Sequence, residues 1–366
     1  MSRKFPEAQP LTGGWRDDPA WPDVDVVMPI RNEFDHLEAA IESVRAQDYP
    51  GRLRIFLGVG PSEDGTEELA AKLADDADDL VVVNNPSGRT PSALNVAIRA
   101  GSAPVVVRFD GHSVLCDGYV AQAVETLRST GAANVGGRQV PQPRTQFEGA
   151  VAAATTSWLG TGGASYRVGG KPTSVDTVYL GVFDRAAIEA VGLFDERLIR
   201  NQDYELNIRL RKAGGIVWFD PELWVGYRLR GSWRALATQY YEYGFWKARV
   251  LQLHPESLRA RQLLPPFAIM VAMLGLLGSS LRRPLILAPV SYVLVLGAGS
   301  RARPRVGAAL GAIHVSWTFG LLRGATRSFA DAVASGRVLR QPHVLPELPP
   351  HRNVDRTKMM DGTLGP

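Results

Sequence analysis

Asp25-Val26-Val27-Met28-Pro29-Ile30 is an apolar run closed by the polar Arg31-Asn32-Glu33, and the next apolar residues, Phe34, Leu37, Ile41 and Val44, recur at helical spacing. A buried strand that hands over to an amphipathic helix is one β-α unit, and the pattern repeats. Leu53 to Val59 reads as a second strand with a helix from about Asp64. Leu80 to Asn84 reads as a third strand, Pro91 to Ala100 as a helix opened by proline, and Val105 to Phe109 as a fourth strand. This alternation predicts an α/β fold built on a mainly parallel sheet with helices on both faces. Ligands of such sheets bind beyond the carboxyl ends of the strands.

At those ends stand Pro29 to Glu33, then Gly60-Pro61-Ser62-Glu63-Asp64-Gly65-Thr66, then Asp110-Gly111-His112. The glycine fingerprint of a dinucleotide fold is broken, because Glu63 takes its third place after Gly58 and Gly60. A phosphate loop is excluded too, since Gly170-Lys171 runs into Pro172 and Ser165 stands where the first glycine belongs. The fourth strand delivers Asp110 to the sheet edge, and His112, two residues on, can return to the same side. One carboxylate and one imidazole suit a loosely held divalent ion, manganese or magnesium, completed by phosphate oxygens and water. An Asp-Gly turn is the plain alternative. Further on, Gln202-Asp203-Tyr204-Glu205-Leu206 opens a helix, and a carboxylate in its first turn is stabilised there whether or not it does chemistry.

The chain has 366 residues, 45% hydrophobic and 21% charged, which excludes a disordered protein and provides for a sizeable core. The single cysteine, Cys116, excludes an intramolecular disulfide framework and a cysteine zinc site. The first 22 residues hold no apolar stretch flanked by positive charge, so no secretory signal is expected. Three charge-free runs lie further on: Gln262 to Leu281, Pro284 to Ser300 and Val306 to Leu322, with arginines at their joints. Each approaches bilayer-crossing length. Three crossings from a cytosolic domain place the basic tail outside, against the positive-inside tendency, so two crossings and one interfacial segment stay open. From Arg301 onward ten Arg and Lys face four Asp and Glu, while the rest of the chain is slightly acidic. That asymmetry fits a membrane surface rather than nucleic acid. Trp233 to Val250 interleaves aromatic and basic residues, as an interfacial helix does, or a helix packed on the domain. The expected divisions are an N-terminal extension (1–23), a catalytic domain (24–232), interfacial helices (233–261), membrane segments (262–322) and a basic tail (323–366).

Taken in order, Val26-Val27-Met28-Pro29-Ile30-Arg31-Asn32-Glu33, the Ser-x-Asp-Gly-Thr of 62 to 66, Ala93-Leu94-Asn95, Arg108-Phe109-Asp110-Gly111-His112, Gly136-Gly137, and Gln202-Asp203 with Glu205 resemble family 2 glycosyltransferases. The likeness covers roughly residues 24 to 250, and with its apolar C-terminal region the chain is similar to membrane-bound bacterial members of succinoglycan and exopolysaccharide type. The resemblance implies a GT-A fold and a nucleotide-diphosphate sugar donor. It also implies a divalent metal at Asp110 and His112, a catalytic base at Asp203, and donor contacts among Pro29, Arg31, Glu33, Ser62, Asp64, Arg89, Asn95 and Asp110. Arg31 and Arg89 could add charge near the phosphates, but a surface arginine is the preferred reading of each.

On this reading Asp203 takes the proton of an acceptor hydroxyl, on a glycan or a polyprenyl-linked carrier, and the anomeric configuration inverts. The enzyme is expected as an integral protein of the cell membrane with its catalytic domain facing the cytosol. Two departures stand out. Val59-Gly60-Pro61-Ser62 replaces the stretch where relatives carry a base-contacting aspartate, so Asp64 or backbone must serve. Gln239 begins a Gln-x-x-Arg-Trp-like segment that lacks the arginine, which favours a single transfer over processive synthesis. A membrane-anchored nucleotide-sugar binder without catalysis and a nucleotidyltransferase remain as alternatives.

Overall fold

The computed structural model describes residues 14–334. Its first half follows the β-α alternation: β1 (Val24–Ile30), α1 (Leu37–Arg45), β2 (Leu53–Val59), α2 (Thr66–Asp75), β3 (Leu80–Asn84), α3 (Thr90–Ala100) and β4 (Val105–Arg108). Then come β5 (Val114–Leu115), α4 (Tyr119–Thr130), β6 (Asn134–Pro141), α5 (Gln146–Thr155), α6 (Trp158–Thr161), α7 (Ser165–Val168), β7 (Thr173–Ser174) and β8 (Gly181–Asp184). The remainder is α8 (Arg185–Ala190), α9 (Gln202–Lys212), β9 (Val217–Tyr227), α10 (Trp233–Leu253), α11 (Ala260–Gly278), α12 (Leu287–Gly299) and α13 (Pro304–Ala334).

One sheet runs β3-β2-β1-β4-β8-β6-β9-β5, with β7 also on β9. β1 lies parallel to both β2 and β4, and β2 to β3. Beyond this half the expectation of a mainly parallel sheet gives way to a mixed one, in which β6 still lies parallel to β9. β8 runs antiparallel to β4 and β6, and β5 and β7 run antiparallel to β9. The sheet is mixed because β8 arrives through short helices and loops instead of a crossover helix, so nothing constrains it to run parallel.

Alternate residues of β1 fill two cores. Val26, Met28 and Ile30 pack with Leu37, Ile41 and Val44 of α1 and Val120, Val124 and Leu127 of α4. Val27 packs on the opposite face with Leu94 and Ile98 of α3 and Leu206 and Leu210 of α9. Phe34 is a correction: it is 48% exposed and precedes α1, because the Asp64 carboxylate accepts its backbone N–H and holds it in a turn. Asp64 also accepts from Thr66 N and Oγ1, which delays α2 to Thr66.

Residues 14–23, expected as an extension, belong to the domain. Arg16 is buried and donates to Asp184 Oδ2 at 2.9 Å and to the carbonyls of Leu127 and Ala132. Residues 1–13 and the expected tail beyond Ala334 lie outside the described residues.

The C-terminal helices depart from three free spans. α10 and α13 lie so close that a Cβ at Gly244 meets the Trp317 carbonyl and one at Gly320 meets that of Tyr241. The inner face of α13, Val306, Ala309, Leu310 and Ile313, is buried against α5 and Leu236 of α10. α12 has 13 residues, about 20 Å of helix, short of a hydrocarbon core of about 30 Å. Among the described residues only α11 is long and apolar enough to cross a membrane. Its large apolar residues face outward, Phe267 and Leu274 each 61% and Leu277 70% exposed.

Candidate active site

A cavity of about 620 Å³ opens at the sheet edge where β4 ends and α9 begins. Arg108, Asp110, His112, Gln139 and Asp203 line its sheet end. Asp110 arrives directly from β4, whose four residues are all buried. Asp203 is the second residue of α9, and Asn201 in left-handed conformation (φ 62°) takes the capping position ahead of it. The Asp203 carboxylate pairs with Arg108 Nη1, while Arg108 Nη2 lies 3.1 Å from Asp110 Oδ1. One arginine, 5% exposed, therefore ties both candidate carboxylates together.

The electrostatics follow from this triad. Burial pushes the Asp203 carboxyl above its ordinary value, against the downward pull of Arg108. Burial alone would lower Arg108, but the two carboxylates outweigh it and hold the guanidinium charged. His112 is raised, chiefly by the hydrogen bond between its Nδ1 and Glu33 Oε1 at 2.7 Å, against the opposing effect of burial. With Nδ1–H given to Glu33, His112 keeps Nε2 as a ligand nitrogen, as carboxylate-oriented metal-binding histidines do. Asp110 retains its second oxygen. Two donors with an orienting carboxylate fit a divalent ion whose other positions are filled by a ligand's oxygens. No cluster of three or more His, Cys, Asp or Glu suited to a metal occurs among the described residues.

Arg31, Glu33, Ser62, Asp64 and Arg89 stand on the loops after β1, β2 and β3, a rim beside the cavity that does not itself line it. Ser62 Oγ accepts from Asn32 N, Asn32 Oδ1 from Glu63 N, and Thr66 Oγ1 from Glu33 N. Arg31 reaches the Gly88 carbonyl at 3.4 Å, next to the exposed Arg89 that precedes α3. Pro29 lies in β1 opposite Gly58. Hydrogen bonds on Asp64 from Thr66 and Phe34 hold its carboxyl below the usual range. Glu33, bonded to His112, joins rim to cavity.

Asn95 is not brought to this site. It is 2% exposed, and its amide donates to Phe194 O and Glu196 Oε1 and accepts from Phe194 N, so its role is to fix the loop after α8. Of the aromatic segment in α10, Tyr240 lines the cavity with Gln239 and Tyr243, whereas Trp246 packs in a separate cluster with Leu198 and Ile208. Arg108 is the residue whose role sequence reasoning missed. Its signal was there: an arginine closing Val105-Val106-Val107, a strand otherwise wholly apolar.

The family model for glycosyl transferase family 2 matches residues 25–192. The succinoglycan biosynthesis protein ExoA of Rhizobium meliloti (strain 1021) is 33% identical over 243 residues, 66% of this chain and 73% of that protein. A dolichyl N-acetyl-alpha-D-glucosaminyl phosphate 3-beta-D-2,3-diacetamido-2,3-dideoxy-beta-D-glucuronosyltransferase of Methanococcus voltae is 24% identical over 238 residues, 63% of this chain and 74% of that protein. Among solved structures, a mannosyltransferase from Pyrobaculum calidifontis in complex with GDP-Man and Mn2+ superposes with a TM-score of 0.54 at 20% identity, covering 86% of this chain and 88% of that one. The shared architecture is the GT-A fold, a mixed α/β sheet flanked by helices.

Proposed function

Because this chain belongs to glycosyltransferase family 2, we propose that its cavity is where a sugar passes from a nucleotide-diphosphate donor to an acceptor hydroxyl with inversion at the anomeric carbon. The observation that carries this reading is the meeting of Asp203, Asp110 and His112 on one cavity, with Arg108 joining the two carboxylates.

Asp203 accepts the proton of the acceptor hydroxyl as its oxygen attacks the anomeric carbon. The bond to the diphosphate oxygen breaks on the opposite face, and the nucleoside diphosphate leaves. A carboxylate raised by burial is a stronger base than one in water, which suits this step. Asp110 and His112 would hold a manganese or magnesium ion, with Glu33 orienting the imidazole; when bound, such an ion offsets the charge developing on a diphosphate leaving group. The rim residues Pro29, Arg31, Glu33, Ser62, Asp64 and Arg89 face the donor, and Asp64 or backbone reads the base in place of the missing aspartate. Asn95 is left out of the donor contacts.

The acceptor is a glycan or a polyprenyl-linked glycan of cell-envelope or exopolysaccharide synthesis, extended one sugar at a time. The outward apolar faces of α11 and α12 support insertion in the cell membrane, with the catalytic domain (14–232) on the cytosolic side and α10 along the interface, exposing Trp233 and Tyr241. No nucleic acid is involved.

The test is the product released by purified full-length protein from radiolabelled nucleotide sugars with lipid extract as acceptor. Release of a nucleoside diphosphate with label in the lipid phase is expected. Release of a sugar 1-phosphate, or of pyrophosphate when a nucleoside triphosphate and a sugar phosphate are supplied instead, would make the protein a nucleotidyltransferase, and binding without release would make it a binder.

A further inference from the structure

Buried arginines in this protein come with carboxylates. Arg16 pairs with Asp184 at 2.9 Å, Arg185 with Asp25 at 2.7 Å and Arg209 with Glu205 at 2.7 Å. Arg167, half-buried on the cavity wall, is not paired in this way. It lies in α7 and lines the cavity, yet among the described residues no carboxylate meets it, and its Nε is buried without a hydrogen-bond partner. Aromatic rings surround it instead: its guanidinium carbon is 5.6 Å from the Tyr166 ring centroid and 5.9 Å from that of Tyr227. Cation-π contacts offset only part of the cost of withdrawing an arginine from water.

The neighbouring hydroxyls add to the same bias. Gln239 Nε2 donates to the hydroxyl oxygens of both Tyr227, at 2.9 Å, and Tyr243, at 3.1 Å. Each phenol oxygen thus already accepts a hydrogen bond and keeps its own O–H free to donate. A guanidinium and two oriented hydroxyls form a wall of donors, which is complementary to an oxyanion with several oxygens. The far end of the same cavity has the opposite character. Leu264 and Phe267 of α11, Val295 and Leu296 of α12, and Ile313 of α13 line it. A ligand filling this space is anionic at one end and apolar at the other.

We propose that Arg167, with Tyr227 and Tyr243, binds a phosphate or diphosphate ester on the acceptor, and that the acceptor's apolar chain lies among α11, α12 and α13. This rests on the transferase reading above and assigns the acceptor half of the cavity within it. The donor's diphosphate belongs to Asp110 and His112, so the two anions occupy separate subsites.

The test uses full-length protein in detergent and three probes: geranylgeranyl diphosphate, inorganic pyrophosphate and geranylgeraniol. Nucleoside diphosphate binding with manganese is measured beside them. Wild-type protein should bind the lipid diphosphate more tightly than either fragment. Arg167→Gln should weaken the lipid diphosphate about tenfold or more, as loss of charge-assisted hydrogen bonds does, and leave nucleotide affinity unchanged. Arg167→Lys and Tyr243→Phe should weaken it less while keeping the wild-type melting transition, which covers the case in which the glutamine variant misfolds. Equal lipid binding by wild type and all three variants would overturn the proposal, as would a parallel loss of nucleotide affinity, which places Arg167 on the donor side. Pyrophosphate binding as tightly as the lipid would overturn the assignment of the apolar end. Arg167-dependent lipid binding in a protein that binds no nucleotide would uphold the subsite and reject the transferase reading, so the two fail separately.

Discussion

Arg108, at the end of β4, pairs with Asp203, in the first turn of α9, and so fastens the candidate base to the central sheet. Arg108→Gln leaves Asp203 and Asp110 without their shared cation. The carboxylates keep 26% and 18% side-chain exposure, which limits the cost, so stability should fall by about 3 kcal/mol, the low end for a broken buried pair. Removing the cation also removes its downward pull on Asp203. The acid limb of the turnover profile should therefore move to higher pH; an unmoved limb would mean that the pair does not govern the titrating group.

Asp110→Asn removes an anionic oxygen at constant size. Manganese-dependent nucleotide binding, followed by calorimetry, should weaken by an order of magnitude or more with the melting temperature nearly unchanged. Equal nucleotide affinity in wild type and variant, with and without chelator, would reduce Asp110-Gly111 to a structural turn.

Lys247 is 4% exposed, and burial pushes its ammonium down to about 7. Its Nζ donates to Ser257, and it faces the Tyr204 ring of α9 and, more distantly, Asp176, Arg259 and Arg261. Unfolded, the same lysine titrates near 10.4. Between these values the unfolded chain holds a proton that the folded one does not, so this residue makes stability rise with pH from about 7 to about 10. Lys247→Met should remove that rise from chemical denaturation curves measured across the window. A rise of equal size in the variant would assign it to other groups.

The membrane assignment rests on α11 and α12. Alkaline carbonate extraction should leave the protein in the membrane pellet, and replacing Leu274 and Leu277 together with Glu should shift it to the supernatant. Full-length wild-type chain in the supernatant would reject integral insertion.

How far the sequence could be read depended on how local the cause was. β1, β2 and β3 follow from runs of apolar residues bounded by polar turns, and the structure matches them to within a residue. Asp110 and Asp203 were legible because each begins or ends a regular element. Phe34 misled because its spacing fits a helix, while a carboxylate thirty residues away holds its backbone in a turn. Asn95 misled because its hydrogen-bond partners, Phe194 and Glu196, lie about a hundred residues downstream. The sense of β8 and the packing of α13 on α10 are likewise long-range, and apolar composition alone does not distinguish a helix packed on protein from one facing lipid.

Asp203 is proposed above as the base of a glycosyl transfer. Asp203→Asn keeps the side chain's shape and a hydrogen bond to Arg108, so folding and donor binding should survive while proton acceptance is lost. The most direct measurement is the rate of nucleoside diphosphate release, with acceptor present, by wild type and this variant at matched donor occupancy. The variant's rate should fall on the order of a hundredfold or more, with nucleotide affinity and melting temperature nearly unchanged. Turnover within a few-fold of wild type would contradict Asp203 as the base.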